Sequence, residues 1–252
     1  MARYSHSKIS TYENCPFQYK LHYIDKVKPD APNTIEAFMG SMIHEALEKL
    51  YRDRQEGKHN TIIDIKIFFK ETWEKNYTAD ILIVKYGMTE QNYKQMGWNF
   101  LKSYYESIFL HDQLDIIGLE TEEIMKLADG SEWHIRIDKL GKDKEGNYYV
   151  CDYKTNSRMK EQKDADEDRQ LAMYSIWVKK NFPDVKAVKL IWHMLAFNET
   201  VISERNSSQE EKLEQEIIER IKAIEQAEKD CNFPKNPSKL CDYCLYRKTC
   251  WG

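Results

Sequence analysis

Two short runs in the middle of the chain, Trp133 to Leu140 and Tyr148 to Lys154, constrain it more than any other stretch. In the first, Trp133-His134-Ile135-Arg136-Ile137 alternates apolar and polar residues; in the second, Tyr148-Tyr149-Val150 is rich in aromatic and β-branched side chains. Both are strand patterns, and Lys144-Glu145-Gly146-Asn147 between them is a hairpin turn signal. Residues two apart in a strand point to the same side. Asp152 and Lys154 therefore face one cleft, and the hairpin can bring Asp138 beside Asp152. Two acids with an amine next to them suit a divalent-metal site that hydrolyses a phosphodiester. The same residues also describe a solvated strand face whose charges pair across strands, so the reading turns on what accompanies them.

Three features accompany them. Gly40-Ser41-Met42-Ile43-His44-Glu45 is expected to open an amphipathic helix whose apolar stripe is Ile43, Leu47, Leu50 and Tyr51. His44 lies beside that stripe, near the expected helix start, and a neutral imidazole is a common metal ligand. Gln170 and Tyr174 are four apart and share a helical face, while Leu171, Ile176 and Val178 serve packing. Cys241-x-x-Cys244-x5-Cys250 closes the chain and Cys15-Pro16 stands near its start. Such spacing lets thiolates reach one centre. The triplet leaves one ligand to find, with Cys15 and Cys231 as the contenders, whereas Cys151 points away from Asp152 and reads as a small core residue.

In this order the residues resemble the RecB-like branch of the PD-(D/E)xK nucleases. The closer likeness is to its iron–sulfur members: the CRISPR-associated RecB-like exonucleases and the nuclease domains of bacterial helicase–nuclease complexes. Ser7 to Tyr19 looks like the family's opening, Gly40 to Glu45 like its glycine–histidine motif, and Asp138 like the acid of its second motif. Asp152-Tyr153-Lys154 is similar to the third motif, Gln170 to Tyr174 to the Gln-x3-Tyr motif, and Cys241, Cys244 and Cys250 to the terminal triplet. The resemblance covers nearly the whole chain. It implies one nuclease domain over residues 1–252, with a helical region at 37–110 and an iron–sulfur module made of 231–252 plus Cys15. The implied fold is α/β (α+β), a restriction-endonuclease-like central mixed sheet flanked by helices, with the module joining the chain ends. The resemblance also favours Cys15 over Cys231 as the fourth ligand of a [4Fe-4S] cluster, and implies DNA, single-stranded or with free ends, as substrate, cut from an end. A helicase or a CRISPR adaptation protein would be the partner.

Composition agrees. The chain has 252 residues, 41% of them hydrophobic, enough to bury a sizeable core. No run of about 18 apolar residues offers a membrane span, and the N-terminus lacks the apolar stretch of a secretory signal. A cytoplasmic location with reduced cysteines is expected. The net charge of −4 argues against broad adhesion to nucleic acid but does not exclude a DNA substrate, since a metal-loaded acidic centre attracts phosphate and a local basic rim can steer it. Lys139, Lys142, Lys154, Arg158, Lys160, Lys163 and Arg169 cluster around the proposed centre, and Lys235, Lys239, Arg247 and Lys248 around the triplet.

Periodicity predicts helices over 5–24, 41–56, 61–77, 89–109 and 166–181, strands over 115–127, 132–140, 147–154 and 185–192, and a strand at 199–204 pairing with the last of these. In the 89–109 helix, Tyr93, Met96, Phe100, Tyr104 and Ile108 are expected on one side. Ser208 with Glu211 offers a capping box for a final helix whose stripe is Leu213, Ile217, Ile221 and Ile224, ended by Pro234 and Pro237. The expected chemistry is metal-dependent phosphodiester hydrolysis. Asp138 and Asp152 are the central ligands, His44 adds an imidazole, the Tyr153 carbonyl completes the set, and magnesium or manganese fits such donors. Lys154 orients the attacking water or offsets developing charge, with Gln170 and Tyr174 positioning the strand or the lysine. The alternatives are a catalytically silent DNA-binding accessory module and a zinc-dependent partner-binding module.

Overall fold

In a computed structural model, residues 3–251 are described. In chain order the elements are β1 (Arg3–Tyr4), α1 (His6–Asn14), α2 (Pro16–Tyr19), a π-helical turn (Lys20–Ile24), α3 (Ile35–Gln55), α4 (Ile62–Asn76), α5 (Glu90–Ser107), β2 (Asp115–Lys126), β3 (Glu132–Lys142) and β4 (Asn147–Lys154). There follow α6 (Gln162–Asp166), α7 (Arg169–Asn181), β5 (Ala187–Met194), β6 (Glu199–Glu204), α8 (Ser207–Lys229), a 3-10 turn (Lys239–Tyr243) and α9 (Arg247–Trp251). The strands form one mixed sheet flanked by helices, as expected.

β3 is its hub. β2 pairs with β3 antiparallel along its whole length, β1 adds parallel to Glu132 and Trp133, and β4 pairs antiparallel with Lys139 to Lys142. β4 then pairs parallel with β5, and β5 antiparallel with β6. Since β2 fills one edge of β3, β1 and β4 share the other. Between their two short registers the stretch from His134 to Asp138 has no ladder partner on that edge, and the sheet splits there.

Two apolar clusters flank the sheet. One joins Trp133, Ile135, Ile137 and Val150 to Leu171 and Val178 of α7 and to Ile217, Ile221 and Ile224 of α8. The other joins α3, α4 and α5 through Ile43, Leu47, Phe69, Trp73, Tyr93 and Leu101, with Tyr153. Ile137 faces the first cluster. Two residues on, Lys139 faces the second side, where it is 1% exposed and ion-paired with Asp112. Its ammonium also lies 3.2 Å from the Tyr51 hydroxyl, and Tyr51 donates to Asp112 at 2.7 Å. Burial pushes the Asp112 carboxyl up, but the Lys139 ammonium outweighs it and holds the group below its usual range.

Several local expectations change. α3 starts at its cap Thr34, so Gly40 lies inside the helix and His44 in its third turn, not near its start. The stripe of Ile43, Leu47, Leu50 and Tyr51 is buried as expected. The helix expected over 5–24 breaks at Cys15, whose extended backbone caps both α1 and α2. On α5 the buried line is Tyr93, Gly97, Leu101 and Tyr104, one position away from Met96 and Phe100, because Phe69 and Met39 press on Gly97. The capping box of α8 is Asn206 with Gln209, two residues before the Ser208–Glu211 pair, since the strand β6 ends early enough for Asn206 to adopt the extended cap. α8 also stops at Lys229, before Pro234, where Cys231 takes a left-handed turn at φ 51°.

Lys139→Met is expected to lower stability by about 3–5 kcal/mol in denaturant titration, because it leaves the Asp112 carboxylate buried and alone. The double variant Lys139→Met/Asp112→Leu should recover much of that loss. Equal loss in both would show that the pair itself, and not the orphaned charge, sets the cost.

Candidate active site

At the split in the sheet, Asp138 replaces a backbone acceptor. The ladder between β3 and β4 reaches Lys139 opposite Cys151 and stops. The next donor on β4, the Tyr153 N–H, bonds Asp138 Oδ2 at 2.8 Å instead. This side-chain bond fixes the carboxylate at the mouth of a cleft of about 730 Å³, walled by the start of α1 and by α3.

Across β3 stands Glu120, which the sequence reading missed. Thr121 pairs with Ile137 and Leu119 with Lys139, so Glu120 lies opposite Asp138. Its φ of 44° is left-handed, an unusual state for a side chain of this size. Such strain concentrates at functional sites. The only earlier signal was position: an acid in the neighbouring strand, among several in Glu120-Thr121-Glu122-Glu123.

His44 reaches in from α3. Its Nδ1 lies 3.5 Å from Asp138 Oδ1 and 3.6 Å from Glu120 Oε1, and its Nε2 lies 3.0 Å from the Tyr153 carbonyl oxygen. Burial opposes a charge on this ring, but the Asp138 charge and the hydrogen bonds to Asp138 and Glu120 outweigh it and raise its pKa to about 10. The ring thus carries a proton that a cation must displace. Burial also pushes Asp138 up, yet the His44 charge holds it below the usual carboxylate range. The Tyr153 carbonyl points at this group but is engaged by His44. Among the described residues, His44, Glu120 and Asp138 are the one set of three metal-capable side chains whose ligand atoms fall within 4.8 Å of one another.

Asp152 lies outside that triad. It is 5% exposed, and burial raises its pKa, reinforced by Asp138 and offset only in part by Lys154. Lys154 Nζ sits 2.8 Å from its Oδ2 and 3.1 Å from its Oδ1, yet Oδ2 has no well-aligned hydrogen bond. Gln170 joins the two: its carbonyl accepts from Lys154 at 3.2 Å and its amide donates to Asp152 at 3.3 Å. Tyr174 follows at 3.4 Å from the same amide. Two carboxylates and an imidazole that converge, in a cleft also lined by the buried Asp152 carboxylate, make a donor set of hard oxygens with one nitrogen. It fits Mg²⁺ or Mn²⁺.

The basic rim expected around the centre is not there. Lys139 is buried, Lys142 is paired with Asp184, Lys160 with Asp168 and Arg169 with Glu13. The lining cations are Lys154 and Arg136.

The C-terminal segment returns to the N-terminal one. Phe17 N–H donates to Pro234 O at 3.2 Å, Asn236 donates to Asn14 O at 2.8 Å, and His22 Nδ1 lies 2.6 Å from the Tyr246 hydroxyl. Cys15, Cys241, Cys244 and Cys250 line one cavity of about 200 Å³ between them; Cys231 is exposed and lies outside that lining. No three of these thiols converge within 4.8 Å. Cys151 is buried, and burial pushes its thiol up to about 11.

The family model of the PD-(D/E)XK nuclease superfamily matches residues 3–251, and the chain belongs to that superfamily. Among solved structures, a protein named "Putative exonuclease" from Eubacterium rectale is similar in fold. It has a TM-score of 0.53 at 14% identity, over 96% of this chain and 86% of that one. A second solved structure, SSO0001, aligns over 85% of this chain and 96% of that one at 10% identity and a TM-score of 0.38. No curated protein matches by sequence.

Glu120→Gln and His44→Ala are each expected to weaken Mn²⁺ binding about tenfold or more in calorimetric titration, without loss of fold, since each removes a donor from a preformed set. Unchanged Mn²⁺ affinity in Glu120→Gln would remove that residue from the centre.

Proposed function

We propose that this chain is a Mg²⁺- or Mn²⁺-dependent deoxyribonuclease that hydrolyses DNA from an end. The observation that carries the proposal is the meeting of His44, Glu120 and Asp138 beside the Asp152–Lys154–Gln170 set in one open cleft. His44, Glu120 and Asp138 would hold the cation, with Asp152 and the Tyr153 carbonyl completing its surroundings. When bound, the cation supplies Lewis acidity at the scissile phosphate and at the attacking water.

The chain's own residues do the rest. Asp152 and Gln170 hold Lys154 so that its ammonium faces the reacting phosphate, where developing negative charge strengthens its pull. Burial alone would depress that ammonium, but the Asp152 charge keeps it protonated. Tyr174 supports Gln170, and Asp138, tied to the Tyr153 N–H, keeps the two strands at a fixed separation.

The cavity between the chain ends is assigned to an iron–sulfur cluster held by Cys15, Cys241, Cys244 and Cys250. A single tetrahedral zinc with bonds of about 2.3 Å requires four sulfurs about 3.8 Å apart, whereas no three of these thiols fall within 4.8 Å of one another. A [4Fe-4S] cluster spreads four thiolates over four irons. Action with a helicase or a CRISPR adaptation protein belongs to the same reading and rests on the resemblance of the motifs.

End-labelled single- and double-stranded DNA incubated with Mg²⁺ or Mn²⁺ tests the activity. Stepwise shortening is expected; Asp138→Ala and Asp152→Asn should abolish it. If both variants kept near wild-type rates in nuclease-free preparations, the centre would be elsewhere. Lys154→Ala should lower turnover by about 10²–10³ with DNA and Mn²⁺ affinity nearly unchanged; a parallel loss of DNA affinity would make it a phosphate anchor instead.

Anaerobically purified protein is expected to be brown, with iron and sulfide. Cys15→Ala, Cys241→Ala, Cys244→Ala or Cys250→Ala should bleach it, and Cys231→Ala or Cys151→Ala should not. A colourless, zinc-loaded protein would overturn the cluster assignment.

A further inference from the structure

We propose that Arg136 is the phosphate anchor of the cleft, and that its ion pair with Glu120 couples DNA binding to cation binding. The proposal rests on the reading of this cleft as a DNA-cutting site and adds how that site takes hold of its substrate.

The cleft is acidic. Glu45, Glu48, Glu120, Glu122, Asp138 and Asp152 line it, against Lys154, Arg136 and the His44 ring that lies between Glu120 and Asp138. Phosphates entering it meet net repulsion unless a cation is bound or a basic side chain is free to turn to them. Lys154 is already held by Asp152 and Gln170. Arg136 is differently placed. Its side chain is 59% exposed, and its Nε and Nη2 both donate to a single oxygen, Glu120 Oε2, at 3.2 and 3.1 Å, with Glu122 Oε1 a looser ion-pair partner 3.8 Å from Nε. That leaves much of a five-donor fork unused, and phosphate is the anion such a fork binds bidentately. Arg136 and Asp138 share one side of β3 two positions apart, about 7 Å along the strand. The fork therefore reaches a phosphate beside the one being cut.

Glu120 cannot serve both neighbours fully. Its Oε1 faces His44 and its Oε2 faces Arg136. A cation draws Glu120 away from Arg136 and leaves the fork only its longer contact with Glu122; a phosphate draws Arg136 away from Glu120 and returns negative charge to the cation site. The two ligands then tighten one another, and by linkage the effect is equal in both directions.

Two titrations on the full chain test this: Ca²⁺ or Mn²⁺ by calorimetry without DNA, and a fluorescent single-stranded oligonucleotide by anisotropy with Ca²⁺ present. Arg136→Ala is expected to bind the cation about two- to fivefold more tightly, as loss of a half-exposed pair allows. It should bind the oligonucleotide about tenfold or more weakly, with the log–log salt slope reduced by about 1. Arg136→Lys, which keeps the charge without the fork, should fall between. Both affinities falling together would make Arg136 a structural support, and unchanged DNA affinity would remove it from the substrate path; either result overturns the proposal. A wild-type protein that neither binds nor cuts DNA with cation present would instead overturn the nuclease reading itself.

Discussion

The bond from the Tyr153 N–H to Asp138 Oδ2 is the constraint on which the site depends. A strand ladder normally runs until a turn ends it, with backbone acceptors meeting backbone donors. Here a carboxylate takes over one step beyond the Lys139–Cys151 pairing, and the strands part. The parting opens a cleft within a sheet, and the same atom that satisfies the last donor stands at its mouth. Asp152 and Lys154, further along β4, follow the parted strand to the opposite wall. One hydrogen bond thus sets both the opening and the distance between the two acids.

Charge is balanced around that bond from two sides. Towards the cleft, the protonated ring of His44 lies between Asp138 and Glu120 and neutralises part of their charge. Further along α3, Lys139 carries its charge into the helical cluster and meets Asp112 and the hydroxyl of Tyr51, itself in contact with Tyr104. A buried ion pair is a poor source of stability compared with apolar packing. Its place directly after Asp138 marks a break in the strand's alternation: Ile137 and Leu140 face the first apolar cluster, while Asp138 and Lys139, consecutive residues, both reach side chains of α3. The left-handed backbone at Glu120, across the same rung, completes that local distortion.

The alternation around Trp133 and Val150, the turn at Gly146 and the i, i+3, i+4 stripes were enough to place the strands β2 to β6 and most of the helices, because those patterns report burial directly. Periodicity also put Gln170 and Tyr174 on one helical face and Asp152 and Lys154 on one strand face; that Gln170 meets Lys154 is a tertiary contact that the resemblance of the motifs, not periodicity, suggested. Glu120 was not. It is one of three acids within four residues, and only the pairing of β2 with β3 and one left-handed residue select it. Nor was the fate of the lysines legible. Sequence proximity to Asp138 suggested a basic rim, but Lys139 is inside the fold, Lys142, Lys160 and Arg169 are ion-paired, and of the expected set Lys154 alone lines the cleft. The helix start at Thr34 was hidden because Ile35 and Phe38 read as loop beside Pro29 and Pro32. The return of residues 234–250 to Cys15 depends on contacts between segments more than 200 positions apart, which no local pattern encodes; it was expected from the family resemblance alone.

The account's central claim is that the distortion at Asp138 exists to hold a cation. Crystals grown with Mn²⁺ and measured at the manganese absorption edge test it most directly. The account predicts an anomalous peak bounded by His44, Glu120 and Asp138, with the His44 ring turned from the carboxylates to the ion. A peak elsewhere on the protein, or none while His44 keeps its bonds to Asp138 and Glu120, would contradict it.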